Sequence, residues 1–178
     1  MNVNLMKYGH LDDQEKSVFD EYKASSFKLN NDIRNGNISM SVQILDSLIS
    51  KYENVHDIVL YRAMPLYCID EKQVGNIYQD ITYLSCSLEK YSIFKFCTEK
   101  EMAVLQIYCP ASTHMINMDV NPQFADDETE YLLTRNLPLE VNNRSDLTNN
   151  PDILEFFDYD RFIAGNISRL VIFEMIVI

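Results

Sequence analysis

Glycine is scarce in this chain, which has 4 glycines among 178 residues and no tryptophan. The glycines form neither the G-x-G-x-x-G pattern of a Rossmann dinucleotide site nor the G-x-x-x-x-G-K-[ST] pattern of a P-loop. In both patterns the glycines let backbone amides approach a phosphate closely. The sequence therefore excludes the two common glycine-rich loops that hold nucleotides.

Positive charge is also in short supply. The chain has 15 Lys and Arg against 27 Asp and Glu, which gives a formal net charge of -12. A nucleic-acid surface and an anionic membrane both require clustered basic residues, so we expect neither as a partner. The acidity favours a basic partner protein, although a high net charge also serves solubility alone.

Patterns for metal binding are missing. The cysteines are Cys68, Cys86, Cys97 and Cys109, and the histidines are His10, His56 and His114. No two cysteines form a C-x-x-C pair and each histidine stands alone, so the sequence gives little support for a zinc site. We expect no metal, and free thiols in a reducing compartment.

Long apolar runs are absent as well. No stretch approaches the roughly 18 apolar residues of a membrane-spanning helix. Residues 1–10 lack the apolar segment of a signal peptide. We therefore expect a cytoplasmic protein that acts inside a host or target cell.

A helical first third followed by short strands is what the sequence does contain. Residues 12–34 have no proline or glycine and keep helical spacing, with a break near residues 24–26, and Ser39 or Ser41 can cap a second helix ending near Tyr52. Strands are predicted at 57–63, 80–88, 101–109, 114–118, 130–134, 137–141 and 169–178, with a short helix at 89–97 and a polar connection at 142–160. This order predicts a single α+β domain over residues 1–178, helical in 1–54 and stranded with antiparallel sheets in 55–178.

Two glutamates frame the start of one predicted strand. In Glu128-Thr129-Glu130, which runs into the apolar residues 131–133, side chains two apart share a face about 6–7 Å from each other along a strand. One carboxylate can stabilise a developing cation while the other handles a basic acceptor. Because Glu-x-Glu is common, an acidic loop entering a strand is the alternative.

Three motifs follow one another in a characteristic order. Tyr61-Arg62-Ala63 ends a strand, residues 83–88 read Tyr-Leu-Ser-Cys-Ser-Leu, and the Glu-Thr-Glu triplet precedes an apolar strand. This order resembles the Arg–Ser–Glu branch of the mono-ADP-ribosyltransferases, which includes toxin and phage enzymes. Residues 22–34, 109–112 and 134–136 also resemble segments of that family. Cys86 departs from the family's threonine and Ala63 from its common glycine.

The resemblance implies the family's fold, in which N-terminal helices pack on two antiparallel sheets around a cleft for the co-substrate NAD. Glu130 would stabilise the oxocarbenium ion that forms as nicotinamide leaves, and Ser85 would orient Glu130. Arg62 would bind the pyrophosphate or ribose through its planar fork of donors. Ala63 and Ser87 would complete the NAD site.

Aromatic residues are candidates for two further contacts. Phe94 or Phe96 would stack on nicotinamide, and Phe124 would contact the target protein, although core packing is an ordinary fate for each ring. No metal is implied for the site.

The first glutamate of the pair bears on the acceptor. The resemblance implies that Glu128 selects arginine, because a guanidinium is protonated at ordinary pH and a neighbouring carboxylate can bind it and take its proton. The predicted function is therefore an arginine-specific transferase acting on a partner protein. The alternatives are a NAD glycohydrolase, with water as acceptor, and a binding module that retains the fold without the chemistry. Arg62, Ser85 and Ser87 also have an ordinary explanation, as an ion-pairing residue at the core edge and two strand serines.

Overall fold

The computed structural model describes residues 6–123, 129–157 and 167–178. Its helices are α1 (Asp13–Ala24), α2 (Ser26–Arg34), α3 (Met40–Ser50), α4 (Lys90–Ile93) and α5 (Asn150–Phe156), with short 3-10 turns at Tyr8–His10, Leu66–Cys68 and Phe94–Phe96. Its strands are β1 (Ile58–Pro65), β2 (Ile77–Tyr78), β3 (Leu84–Ser87), β4 (Glu101–Cys109), β5 (Met115–Asn117), β6 (Glu130–Leu133), β7 (Leu139–Leu147) and β8 (Arg169–Val177). The α+β class is confirmed.

The first three helices begin and end where the sequence predicts. Asp12 and Glu15 form a reciprocal capping box at the start of α1, and Ser39 accepts the Val42 N–H at 3.3 Å at the start of α3. Ser25 interrupts the helical conformation between α1 and α2, since its φ of -158° and ψ of 71° lie outside the helical region. Gly36, with φ of 79°, follows the end of α2, in a conformation that glycine adopts without strain.

The strands form one eight-stranded sheet in the order β2-β7-β8-β4-β1-β3-β6-β5. The prediction of two separate antiparallel sheets was therefore wrong in detail, but the sheet has two distinct parts. Only one residue pair, Tyr61 with Ser87, joins β1 to β3. We call β2-β7-β8-β4-β1 the five-stranded part and β3-β6-β5 the three-stranded part.

One pair in the sheet is parallel, against the antiparallel prediction. Strand β8 lies parallel to β4 and antiparallel to β7. Most side chains on both faces of β4 and β8 are buried, which is typical of parallel strands covered on both sides. The sequence pattern shows that such strands are buried but not in which direction they pair.

Two predicted boundaries also differ. The strand predicted at 80–88 is confined to β3, because the Asp80 carboxylate accepts hydrogen bonds from both the N–H and the hydroxyl of Thr82 and closes a turn there. The polar connection predicted at 142–160 instead continues β7 to Leu147 and then forms α5. Pairing with β8 across a register shift between Val141 and Asn143 keeps this polar segment extended.

Hydrophobic residues fill both faces of the sheet. Helices α1, α2 and α3 bury one cluster against Ile116 and Leu132 of the three-stranded part and against Tyr83, which directly precedes β3. A second cluster places Ile153 of α5 against Met102 of the five-stranded part. Helices α1–α3 and α5 thus cover the two parts separately, and α4 contacts both β1 and β3 at the junction between them.

Among the described residues, none of the helices combines the length and the apolar character that crossing a membrane requires.

Candidate active site

The β1–β3 junction is where main-chain pairing gives way to a side-chain contact. Past the Tyr61–Ser87 pair, the Arg62 guanidinium spans the gap and Nη1 donates to the carbonyl oxygen of Ser85 at 2.8 Å. Arg62 Nε is buried and has no partner among the described residues. A buried charged donor without a partner is costly, so this atom suits an oxyanion supplied by a ligand.

Glu130 comes to the same junction from β6. It pairs in register with Ser87 of β3, which places Ser85 at the diagonal position on the same face. The Ser85 hydroxyl donates a hydrogen bond to Glu130 Oε1. The carboxylate is held in a largely dry setting, since its side chain is only 12% exposed.

A lysine and an aspartate complete the surroundings of Glu130. Lys23 Nζ from α1 lies 2.7 Å from Glu130 Oε2 and 3.1 Å from Asp119 Oδ1. Asp119 Oδ2 in turn accepts the main-chain N–H of Glu130 at 2.8 Å. Sequence reasoning missed both residues.

The residue before Glu130 has an unusual backbone. Thr129 has φ of 48°, in the left-handed region that β-branched residues rarely adopt. Its hydroxyl lies 3.0 Å from the Ser87 hydroxyl, and its carbonyl accepts the Leu88 N–H at 3.2 Å. The Ser87 hydroxyl also accepts the Glu89 N–H at 3.0 Å. Ser87 therefore connects the turn before β6 to the segment after β3. The strained conformation of Thr129 is held by hydrogen bonds to its hydroxyl and to its carbonyl.

A cavity of about 200 Å³ opens at this junction. Of the residues predicted for the NAD site, the structure brings six to its lining: Arg62, Ala63, Ser85, Ser87, Phe96 and Glu130. Ser26 and Ser92 also line it, although no sequence motif singled them out. The cavity thus combines a cation, a carboxylate and an aromatic ring.

One predicted residue lies away from the cavity, and two others cannot be placed. Phe94 does not line the cavity, because its ring packs edge-on against Phe157 with centroids 5.2 Å apart, in the core around α5. Glu128 and Phe124 lie outside the described residues, so their predicted roles stay predictions.

Cys86 lies among the cavity residues but is fully packed. Burial raises the pKa of its thiol to about 12, against a smaller opposing influence of Arg62. A thiol with so high a pKa carries almost no thiolate at neutral pH and is a poor nucleophile. Cys86 therefore acts as a small apolar residue beneath the site. Within the described residues, no cluster of His, Cys, Asp or Glu is arranged to hold a metal.

Solved structures that share the fold of this chain include ADP-ribosyltransferases. Plx2a, an ADP-ribosyltransferase toxin from Paenibacillus larvae, aligns with a TM-score of 0.71 and 15% identity over 96% of this chain and 88% of its own. C3stau2 from S. aureus, solved with NAD, aligns with a TM-score of 0.71 and 16% identity over 96% and 89%. The ADP-ribosyltransferase Vis, solved in complex with agmatine, aligns with a TM-score of 0.68 and 10% identity over 97% and 77%. At these identities the comparison shows that this chain has the ADP-ribosyltransferase fold.

No protein-family model matches the sequence, and no curated protein matches it.

Proposed function

We propose that this protein is a NAD-dependent mono-ADP-ribosyltransferase that modifies arginine on a target protein. One observation carries the proposal: Arg62, Ser85 and Glu130, from three separate strands, line one cavity at the split in the sheet. The fold shared with ADP-ribosyltransferases supports it. So does the similar structure of C3stau2, which was solved with NAD.

The cavity suits one end of NAD. Its volume of about 200 Å³ is below the roughly 300–1,000 Å³ of pockets that enclose a whole drug-sized ligand, so we propose that it takes nicotinamide and the adjoining ribose. Phe96, half-exposed at the lining, offers a ring face for the nicotinamide. Arg62, with its unpartnered Nε, would hold an oxyanion of the pyrophosphate.

Glu130 would promote cleavage of the bond between nicotinamide and ribose. The bond breaks with its electron pair leaving on the nicotinamide nitrogen, so positive charge develops on the ribose. A fixed carboxylate in a dry site stabilises such charge strongly. The Ser85 hydroxyl, which already donates to Oε1, would keep Glu130 oriented through the reaction.

Glu128 would serve the acceptor. A guanidinium nitrogen attacks the ribose carbon, the new carbon–nitrogen bond forms, and the displaced proton passes to the Glu128 carboxylate. Vis, which shares the fold, was solved with agmatine, a small molecule that carries a guanidinium group. The target would be a basic protein, since the net charge of -12 favours a partner of opposite sign. The transfer would take place inside a cell.

The test is incubation of the purified protein with NAD labelled in its adenylate part, in the presence of a cell lysate or of agmatine. We expect labelled protein and labelled agmatine. The Glu130→Gln variant is the matched negative control and should label neither. Free ADP-ribose without labelled acceptor would identify a NAD glycohydrolase instead. Absence of NAD turnover would identify a module that keeps the fold without the chemistry.

A further inference from the structure

Lys23 has no part in the function proposed so far. It lies in the last turn of α1, and its Nζ bridges Glu130 and Asp119 at 2.7 and 3.1 Å. The three side chains are 7%, 12% and 17% exposed, respectively, so the group is largely shielded from water. A lysine so deeply placed loses hydration and rotamer freedom, which its contacts must offset.

We propose that Lys23 is a positioning residue for NAD cleavage, which holds the Glu130 carboxylate toward the cavity and offsets its repulsion from Asp119. The inference rests on the proposed function, because it assigns Lys23 a role in that reaction. Lys23 and Asp119 would together hold Glu130 in place, and they would affect the reaction only through Glu130.

Glu130 is held from several sides. Ser85 donates to Oε1, Lys23 donates to Oε2, and Asp119 accepts the main-chain N–H. Fixing a side chain by packing and hydrogen bonds keeps a site within the narrow geometric range that catalysis needs. An ionised carboxylate has about four lone-pair positions, so these two donors leave room for a ribose hydroxyl.

The charges of Lys23, Glu130 and Asp119 cancel only in part. Glu130 and Asp119 are two carboxylates in contact with one ammonium group, so the group carries one net negative charge. Burial tends to lower the pKa of Lys23, but the hydrogen bonds and charges of Glu130 and Asp119 outweigh burial and raise it above the ordinary value. Lys23 therefore stays charged at neutral pH. One net negative charge complements the single positive charge that develops on the ribose.

The opposite role for Lys23 is physically reasonable, which makes the inference testable. A cation beside Glu130 also repels an oxocarbenium ion. If that repulsion dominated, Lys23 would inhibit cleavage of NAD, and its removal would speed the reaction. Positioning and charge balance predict that its removal slows cleavage.

The experiment is a charge cycle read out as nicotinamide release, with kcat and KM for NAD measured separately. The variants are Lys23→Met, Lys23→Arg, Asp119→Asn and the double variant Lys23→Met/Asp119→Asn. Asn at 119 keeps an oxygen that can accept the Glu130 N–H. Lys51→Met is the matched control, because Lys51 also pairs with a partly buried glutamate, Glu15 on α1, away from the cavity.

We expect Lys23→Met to lower kcat about tenfold to a hundredfold, as for a lost charge-assisted hydrogen bond, with KM nearly unchanged. Lys23→Arg should retain most of the activity. Asp119→Asn alone should also lower kcat, because Lys23 then cancels the whole charge of Glu130. The double variant should be faster than either single variant, since it restores one net negative charge. Lys51→Met should match the wild type.

A kcat for Lys23→Met at or above the wild-type value would overturn the inference. A double variant slower than both single variants would also overturn it, because simple loss of structure accumulates in that way. Thermal unfolding of each variant identifies those that fail to fold. If Lys23→Met does not fold, the kcat values of the two single variants Asp119→Asn and Lys23→Arg decide whether Lys23 positions Glu130. A wild-type protein that neither binds nor cleaves NAD would overturn the proposed function itself, and this inference with it.

Discussion

The charged groups around Glu130 and those around Arg169 use the same chemistry in different surroundings. At the junction of the sheet, Lys23 and Glu130 are 7% and 12% exposed. On the five-stranded part, Arg169 of β8 donates from Nε to Oδ1 and from Nη2 to Oδ2 of Asp146 in β7, and these side chains are 29% and 39% exposed.

Exposure separates what the two clusters can do. Water and salt screen the Arg169 pair, which limits an exposed pair to about 0–1 kcal/mol of stability. The Glu130 group is shielded, so each of its charges acts strongly on its neighbours and on any ligand. We therefore expect substitutions in the buried group to change function, and substitutions in the exposed group to change stability slightly.

Glu130→Gln should have the largest effect. It preserves shape and removes the negative charge that faces the ribose, so both protein modification and NAD hydrolysis should fall by about two to three orders of magnitude or more. Counting released nicotinamide and labelled target measures both reactions. Full NAD cleavage by this variant would contradict the transferase proposal.

Glu128→Gln should separate the two reactions. Arginine modification should fall by about a hundredfold, because the group that takes up the guanidinium proton is lost. Hydrolysis of NAD should continue, since Glu130 is intact and water needs less help as acceptor. The same paired assay applies, and unchanged arginine modification would refute the role of Glu128.

Arg62→Ala should weaken NAD binding. A lost hydrogen bond to a charged group is worth about 1.5–3 kcal/mol, which corresponds to roughly a tenfold to hundredfold loss of affinity. Arg62→Lys should also be impaired, because a point charge cannot reproduce the planar fork. Calorimetric titration with NAD measures both variants, and an unchanged affinity in Arg62→Ala would exclude the role.

Cys86→Thr should leave activity equal or higher. Burial raises the pKa of this thiol to about 12, so it is not a nucleophile that threonine would remove. Nicotinamide release by the purified variant is the measurement. An inactive but folded Cys86→Thr protein would show that the mechanism involves the thiol.

Asp146→Asn should have the smallest effect, a loss of less than about 1 kcal/mol in the free energy of unfolding. The hydrogen bond from Arg169 lowers the pKa of Asp146 in the folded state, so its contribution is present above the ordinary carboxyl pKa of about 3.9. The contribution should disappear as the pH falls through the lowered folded-state pKa. Denaturant titrations at neutral and acidic pH, with and without 1 M salt, test it. A loss of several kcal/mol that salt leaves unchanged would contradict the comparison.

The sequence predicted the strand motifs of the site better than their supports. Arg62, Ser85 and Glu130, which line one cavity, were singled out because each belongs to a short motif on its own strand. Lys23 carried no such signal, because its partner Glu130 is 107 residues away and only folding brings them together. Phe94 shows the converse, since a plausible aromatic beside the site instead packs against Phe157.

The fold shows a similar division. Caps and helical spacing predicted α1, α2 and α3, because those signals are local. The extension of β7 beyond Val141 was missed, because pairing with β8 decides the conformation of that polar segment. Helix α5 was missed although its local signals are present, since Asn149 caps it and a proline stands in its first turn. The parallel direction of β8 was missed because it, too, is decided by long-range pairing.

The position of β8 has a consequence for how the chain acquires its structure. It is the last of the described strands in sequence, yet it lies between β7 and β4 in the middle of the five-stranded part. Until β8 is synthesised and docks, β4 and β7 each present an unpaired edge, which is a template for aggregation. Long-range and parallel pairing of this kind is slow to form. We therefore expect the five-stranded part of the nascent chain to stay incomplete until β8 emerges, and chaperones that shield strand edges to matter most before β8 docks.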